Sequence, residues 1–234
     1  MKTLLLLLAK RFNKIAILFI YIAVLLFAFI CYINGSFHTI GFEFYVNYVS
    51  LKQEYLLNCA MLLDLLGLFF IILLMGLEIS SNVNRYEAYF VALNGKLSFY
   101  IQKVITLLIV CFIFVFYLYF VLIFIYFIRF KTSFIAIEIL KGFLAFYLCL
   151  SIYQCLAFTL ILLFKNYFSL FLLFLFYFLN KILSANNIKF KSIIPVIEIK
   201  DFITLSGNFE FYFFILMGLI ILNGIIFIAA DYKC

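Results

Sequence analysis

EISSNVNRYEAYFVALNGKLSFYIQK, Glu78 to Lys103, is a polar island in a chain that is otherwise almost continuously apolar, and it falls between the second and third long hydrophobic runs. It carries Glu78, Arg85, Glu87, Lys96 and Lys103 around the apolar residues Tyr86, Tyr89, Phe90, Val91 and Leu93. That spacing suits a short amphipathic helix lying along a membrane surface. Asn94-Gly95 then breaks the pattern. A segment between two spans, charged at both ends and helical in pattern, is longer than the shortest link requires and suits a docking surface for a cytoplasmic partner. The plainer reading is a solvated loop.

Outward from this island, composition decides the class. The 234 residues are 70% hydrophobic and only 12% charged, with 35 Phe and a single Pro. A soluble surface typically needs about a quarter of its residues charged. The chain therefore reads as an all-α integral membrane protein. Cys31, Cys59, Cys111, Cys149 and Cys155 lie within or beside apolar runs with no CxxC or Cys/His cluster, so they read as small buried hydrophobes. The net charge of +7 is a matter of topology and lipid head groups. No basic patch of nucleic-acid type is present, and no nucleic-acid partner is expected.

Runs able to cross a hydrocarbon core of about 30 Å recur at 15–33, 56–77, 104–128, 142–164, 167–183 and 211–230. The expectation is one transmembrane domain, 1–234, of six helices. Ahead of the first run, Lys2, Lys10, Arg11 and Lys14 flank Leu4 to Ala9, which suits an amphipathic N-terminal helix in the inner interface. The longer run that follows has no small-residue cleavage site, so it reads as a retained span and not a signal peptide. Those four charges, against Lys52 alone after the first span, put the amino terminus in the cytoplasm. Six spans then return the carboxyl terminus to the same side. The total balance discriminates little, with nine basic residues inside and eight outside.

Two outer connections, Asn34 to Tyr55 and Ser184 to Glu210, are longer than needed, and the second holds the only Pro, Pro195. Irregular backbone at membrane depth needs protein or a water-filled cavity to satisfy it, so this loop reads either as short broken helices dipping into the outer leaflet or as a surface loop. His38, one His without a Cys or carboxylate cluster, makes no metal site.

The layout resembles the permease subunit of ABC-2 type ATP-binding cassette transporters. In that family the second span ends in a Glu, followed by a helix, a Pro-x-Ser-Arg-like turn and a Lys opening the third span. Here Glu78 stands at the Glu, Tyr86 to Leu93 in the helix and Lys103 at the Lys, while Asn94-Gly95-Lys96 fills the turn without a Pro. The resemblance implies a cytoplasmic coupling helix between spans two and three. It also implies docking of a separate ABC ATPase subunit on Glu78, Arg85, Glu87, Lys96 and Lys103, and on Lys165-Asn166. The permease would act with a second copy or a related permease, among membrane lipids, in a cell membrane of bacterial type with both termini cytoplasmic. No GxxxxGK[ST] is present, since position 90 is Phe and Lys96 is followed by Leu97, so the chain itself binds no ATP through a P-loop and is not expected to be an enzyme. No cofactor is expected. A peptide, antibiotic or lipid-like substrate is the first expectation, given the lack of large outer domains.

Within the spans, Asp64 is expensive, about 2.5–3.5 kcal/mol on translocon scales, and should face the protein interior or be protonated. Asp64 and Gln154 are the intramembrane polar candidates. The plainer role of Asp64 is to pair with Lys181 or with Gln154 and Ser151. Gln154 and Asn223 more often act as interhelical glue than as ligands. Two other classes compete. An intramembrane enzyme would need a nucleophile, base or metal ligands at one depth, and GxSxG, HExxH and paired acidic motifs are all missing. A non-energised scaffold or immunity protein would differ from a permease only in its partner.

Overall fold

The computed structural model describes residues 22, 26, 66–76, 79, 91–92, 95–130, 136–164, 166–185 and 209–229. Within them the chain is all helix. Five helices result: α1, Leu66–Gly76; α2, Lys96–Phe130; α3, Ala136–Phe164; α4, Phe168–Ala185; and α5, Phe209–Ala229. Among the described residues three segments are long and apolar enough to cross a membrane: Lys96–Val121, Phe146–Phe164 and Glu210–Ala229. Their mean hydropathies of 2.9, 2.0 and 2.5 place the protein among helical membrane proteins.

The expected third span, 104–128, lies inside α2, which starts eight residues earlier at Lys96. The reason is local. Gly95 has φ +77°, the left-handed region that glycine enters without a Cβ penalty. Its N–H donates to Val91 O at 2.9 Å, closing the turn that holds helical Val91 and Ala92. Its own carbonyl takes the Phe99 N–H at 3.1 Å and so starts α2. One glycine thus ends one helical turn and caps the next helix. Lys96 and Lys103, read as parts of the polar island, both belong to α2.

Helix α3 also starts earlier than the run 142–164, while α4 and α5 match the runs 167–183 and 211–230 within two residues. Between α3 and α4 the chain reverses through Asn166 and Tyr167. Asn166 Oδ1 accepts the Phe168 N–H at 3.1 Å, and its carbonyl takes Ser169 Oγ at 2.7 Å, a side-chain cap that fixes where α4 begins.

Contacts give the helix directions. Lys103 on α2 faces Phe158 on α3, and Tyr119 faces Phe143, so α2 and α3 are antiparallel. Tyr153 against Tyr177, with the short Asn166–Tyr167 turn joining the two helices, makes α3 and α4 antiparallel as well. Asn223 meets Thr159 while Leu216 meets Ile152, so α5 runs parallel to α3. Gly67 lies against Leu150 and Gly76 against Leu170, which makes α1 parallel to α3 as well. One end of the bundle therefore collects Gly76, Lys96, the Asn166–Tyr167 turn and Ala229.

Helix α3 is the centre. Of its most apolar window 67% is buried, against 39% for that of α2 and 22% for that of α5. The main core joins Ile71 and Met75 of α1, Val115 and Leu118 of α2, Phe146 of α3, Leu173 of α4 and Phe227 of α5. Phe70 and Phe114 stack with ring centroids 3.8 Å apart and planes 2° from parallel. The outward faces carry Phe112, Phe116, Phe120 and Phe124 of α2 and Phe213, Phe214 and Ile221 of α5, apolar side chains in keeping with contact to acyl chains.

Candidate functional site

Polar side chains are rare in these helices, and those buried between α2, α3 and α5 form a seam. On α2, Lys103 is 8% exposed and its ammonium sits 5.0 Å from the centre of the Phe158 ring, a cation held on an aromatic face. One turn further along each helix, Gln154 Nε2 donates to Leu107 O at 3.3 Å. Beyond that, Ser151 Oγ donates to Cys111 Sγ at 3.7 Å and Tyr147 Oη to Leu108 O at 3.4 Å. Thr106 folds its hydroxyl back on Gln102 O at 2.7 Å, leaving no polar demand on its neighbours.

Gln154 is 2% exposed, yet its Oε1 accepts no hydrogen bond among the described residues. An unsatisfied buried carbonyl costs about 1–3 kcal/mol, so this is the least settled polar atom of the seam.

The second half of the seam joins α3 to α5. Asn223 Nδ2 donates to Cys155 O at 2.9 Å. The Thr159 hydroxyl lies 2.9 Å from the same carbonyl and 2.7 Å from Asn223 Oδ1, so its one proton is shared between two acceptors. Nearer the end of the bundle, Tyr100 Oη donates to Ile220 O, with the Tyr100 ring laid over Gly224. A Cβ at position 224 would stand 3.1 Å from that ring. Lys96 Nζ donates to Ile228 O at 3.0 Å, supplying a cation to the last turn of α5, where carbonyls lack helical partners.

Of the residues singled out from the sequence, the structure brings Lys103 and Gln154 to one interface, one turn apart. It puts Lys96 at the bundle end, tied to α5. Asp64, Glu78, Arg85 and Glu87 lie outside the described residues, as do the N-terminal amphipathic segment, both chain termini, His38 and the connection 186–208. Of the first run, Ile22 and Leu26 are helical and exposed. Cys111, Cys149 and Cys155 are buried. Among the described residues no three His, Cys, Asp or Glu side chains gather as metal ligands.

The pairing of Thr159 with Asn223, and the clamps from Lys96 and Tyr100, were not read from sequence. The available signal was Asn223-Gly224, a polar and a small residue in a strongly apolar helix, which marks a close interhelical approach. The chain matches no family model, no curated protein and no solved structure.

Proposed function

We propose that this chain is the membrane-spanning permease subunit of an ABC-type exporter. In that reading it has six spans and cytoplasmic termini in a cell membrane, works as a dimer with a second copy or a related permease, and is driven by a separate ATPase. The substrate is a peptide, an antibiotic or a lipid-like molecule. The carrying observation is the elbow at Gly95: a helical turn at Val91–Ala92 passes through one left-handed residue into the first turn of α2, where Lys96 grips Ile228 O. A push on the segment before Gly95 reaches two spans at once. The Asn166–Tyr167 turn lies at the same end of the bundle, so a docked ATPase has a second contact within reach. Glu78, Arg85 and Glu87 supply the charges for docking on the polar island that precedes the elbow.

Pull-down of the tagged chain from mild detergent, followed by an ATPase assay on the complex, tests the reading. A stoichiometric P-loop ATPase, lost when Glu78→Lys and Glu87→Lys are combined, is the expected result. Recovery of the chain alone from several detergents overturns it and leaves a non-energised scaffold or immunity protein as the reading to pursue.

A further inference from the structure

Helix α2 carries an aromatic ladder on its outward face. Phe112, Phe116, Phe120 and Phe124 follow one another one turn apart, and all four are exposed. Side chains at this spacing form a ridge inclined to the helix axis. Phe112 and Phe116 have ring centroids 6.3 Å apart and planes 17° from parallel, and Phe120 and Phe124 have centroids 6.4 Å apart and planes 9° from parallel. Behind the first pair, Phe143 of α3 meets Phe112 and Phe116 edge to face at 5.4 and 6.4 Å. These rungs are braced from within the bundle, so they lose little side-chain freedom when a partner docks on them.

Inside the hydrocarbon, acyl chains cover such a face and no hydrophobic force pairs two of them. This ladder reaches further. Among the described side chains, the exposed apolar stripe of α2 runs from Leu97, next to Lys96, to Phe124. At 1.5 Å per residue that is about 40 Å. A hydrocarbon core of about 30 Å takes up only about 32 Å of helix at an ordinary tilt of about 20°. The ammonium of Lys96 holds the start of the stripe near a head-group layer, so the surplus of about 8 Å falls on Phe120 and Phe124. There water takes the place of acyl chains, and covering a Phe side chain becomes favourable. We infer that the ladder Phe112, Phe116, Phe120 and Phe124 is the face by which two copies of this chain pair, ridge into groove, across a two-fold axis. Ridges of four-residue spacing interlock at a crossing of about −50°, and a two-fold axis brings the same ridge from both sides, so one sequence supplies both halves of the contact. With Ile109 and Ile113 the ladder exposes roughly 700 Å² of apolar surface, close to the ~800 Å² that each partner gives to an interface of standard size.

This inference rests on the dimer of the permease reading and names its face, without involving the ATPase. The test places the photoreactive residue p-benzoylphenylalanine at one Phe position at a time in the full chain: Phe116 or Phe120 on the ladder, and the exposed Phe171 of α4 or Phe213 of α5 for comparison. Each purified variant is reconstituted in phosphatidylcholine–phosphatidylglycerol liposomes and irradiated. The two ladder probes are expected to give a covalent dimer whose yield holds as more lipid is added, and the probes at 171 and 213 to give lipid adducts only. With the probe at Phe116, adding Phe120→Ser is expected to cut the dimer by about tenfold, because each copy loses a buried aromatic side chain. Phe171→Ser in the same background is expected to leave the yield unchanged. Lipid adducts alone from the ladder probes, a dimer that fades as lipid is added, equal dimer from the α4 or α5 probes, or a yield insensitive to Phe120→Ser would each overturn the pairing face. A ladder covered by lipid would leave co-purification of the ATPase to decide the rest of the permease reading, and a missing ATPase would leave the cross-linked dimer standing.

Discussion

Thr159 on α3 and Asn223 on α5 meet at 2.7 Å between hydroxyl and amide oxygens, and both converge on the carbonyl of Cys155. This is a buried polar joint between α5 and α3. Its strength sets how firmly the last helix is held.

Removing it with Asn223→Ala is expected to lower stability by about 0.6 kcal/mol and at most about 1.7 kcal/mol, the range for interhelical hydrogen bonds in membranes. In Thr159→Val the Asn223 amide keeps its bond to Cys155 O, so that substitution alone should cost less. A double-mutant cycle by unfolding in lipid–detergent micelles checks the pair, and a coupling energy near zero would mean the two side chains act independently.

Gln154→Met is expected to be neutral or stabilising. The substitution loses a long bond of 3.3 Å to a carbonyl that sits within α2, but it also removes the buried oxygen without an acceptor role. The carbonyl alone costs about 1–3 kcal/mol, so the two changes oppose each other and the larger is the orphan. A loss of stability above that of Asn223→Ala, in the same unfolding assay, would show that Oε1 serves a partner the bundle needs.

Gly95 and Gly218 separate two effects of adding a methyl group. Neither has an atom within 4 Å of the added Cβ, so sterics are absent at both. Gly95→Ala must hold alanine at φ +77° and should cost about 1–2 kcal/mol, with Gly95→Asn costing less because asparagine tolerates the left-handed region. Gly218→Ala lies in mid-helix and should stabilise by up to about 1 kcal/mol. Thermal unfolding of the three variants side by side gives the order directly.

Gly67→Ala tests the α1–α3 contact. The new Cβ would lie 2.7 Å from Leu150 Cδ1 and 3.6 Å from Phe146 Cζ in the main core. Overpacking of this kind costs about 1–3 kcal/mol, and Leu150→Ala in the same chain should recover part of it by vacating the space. An unaltered unfolding midpoint for Gly67→Ala would mean that α1 does not sit on α3 as described.

The helices of the described residues were legible because uninterrupted apolar runs in a chain with one Pro leave few alternatives. The start of α2 was not, since Lys96, Ser98 and Gln102 look like loop residues in one dimension. In three dimensions Lys96 has a carbonyl at the end of α5 to bond, and Lys103 has the Phe158 ring to rest on, so polar residues are absorbed into the helix by partners far along the sequence. The same long range hid the seam: nothing near Asn223 in sequence points to Thr159, 64 positions away. Gln154 could be picked out by rarity alone, but that one of its two amide atoms is satisfied and the other is not depends on the register of α3 against α2.

Helix α2 has 35 residues. At 1.5 Å per residue it is about 52 Å long, whereas even a steep tilt of about 40° uses up only about 39 Å of helix in crossing a 30 Å hydrocarbon layer. Roughly 13 Å, close to nine residues, must therefore stand clear of the acyl chains at one end or be divided between both. The helix is a rod longer than the wall it passes through, and a displacement applied to the protruding part at one face is delivered to the other face without any intermediate joint.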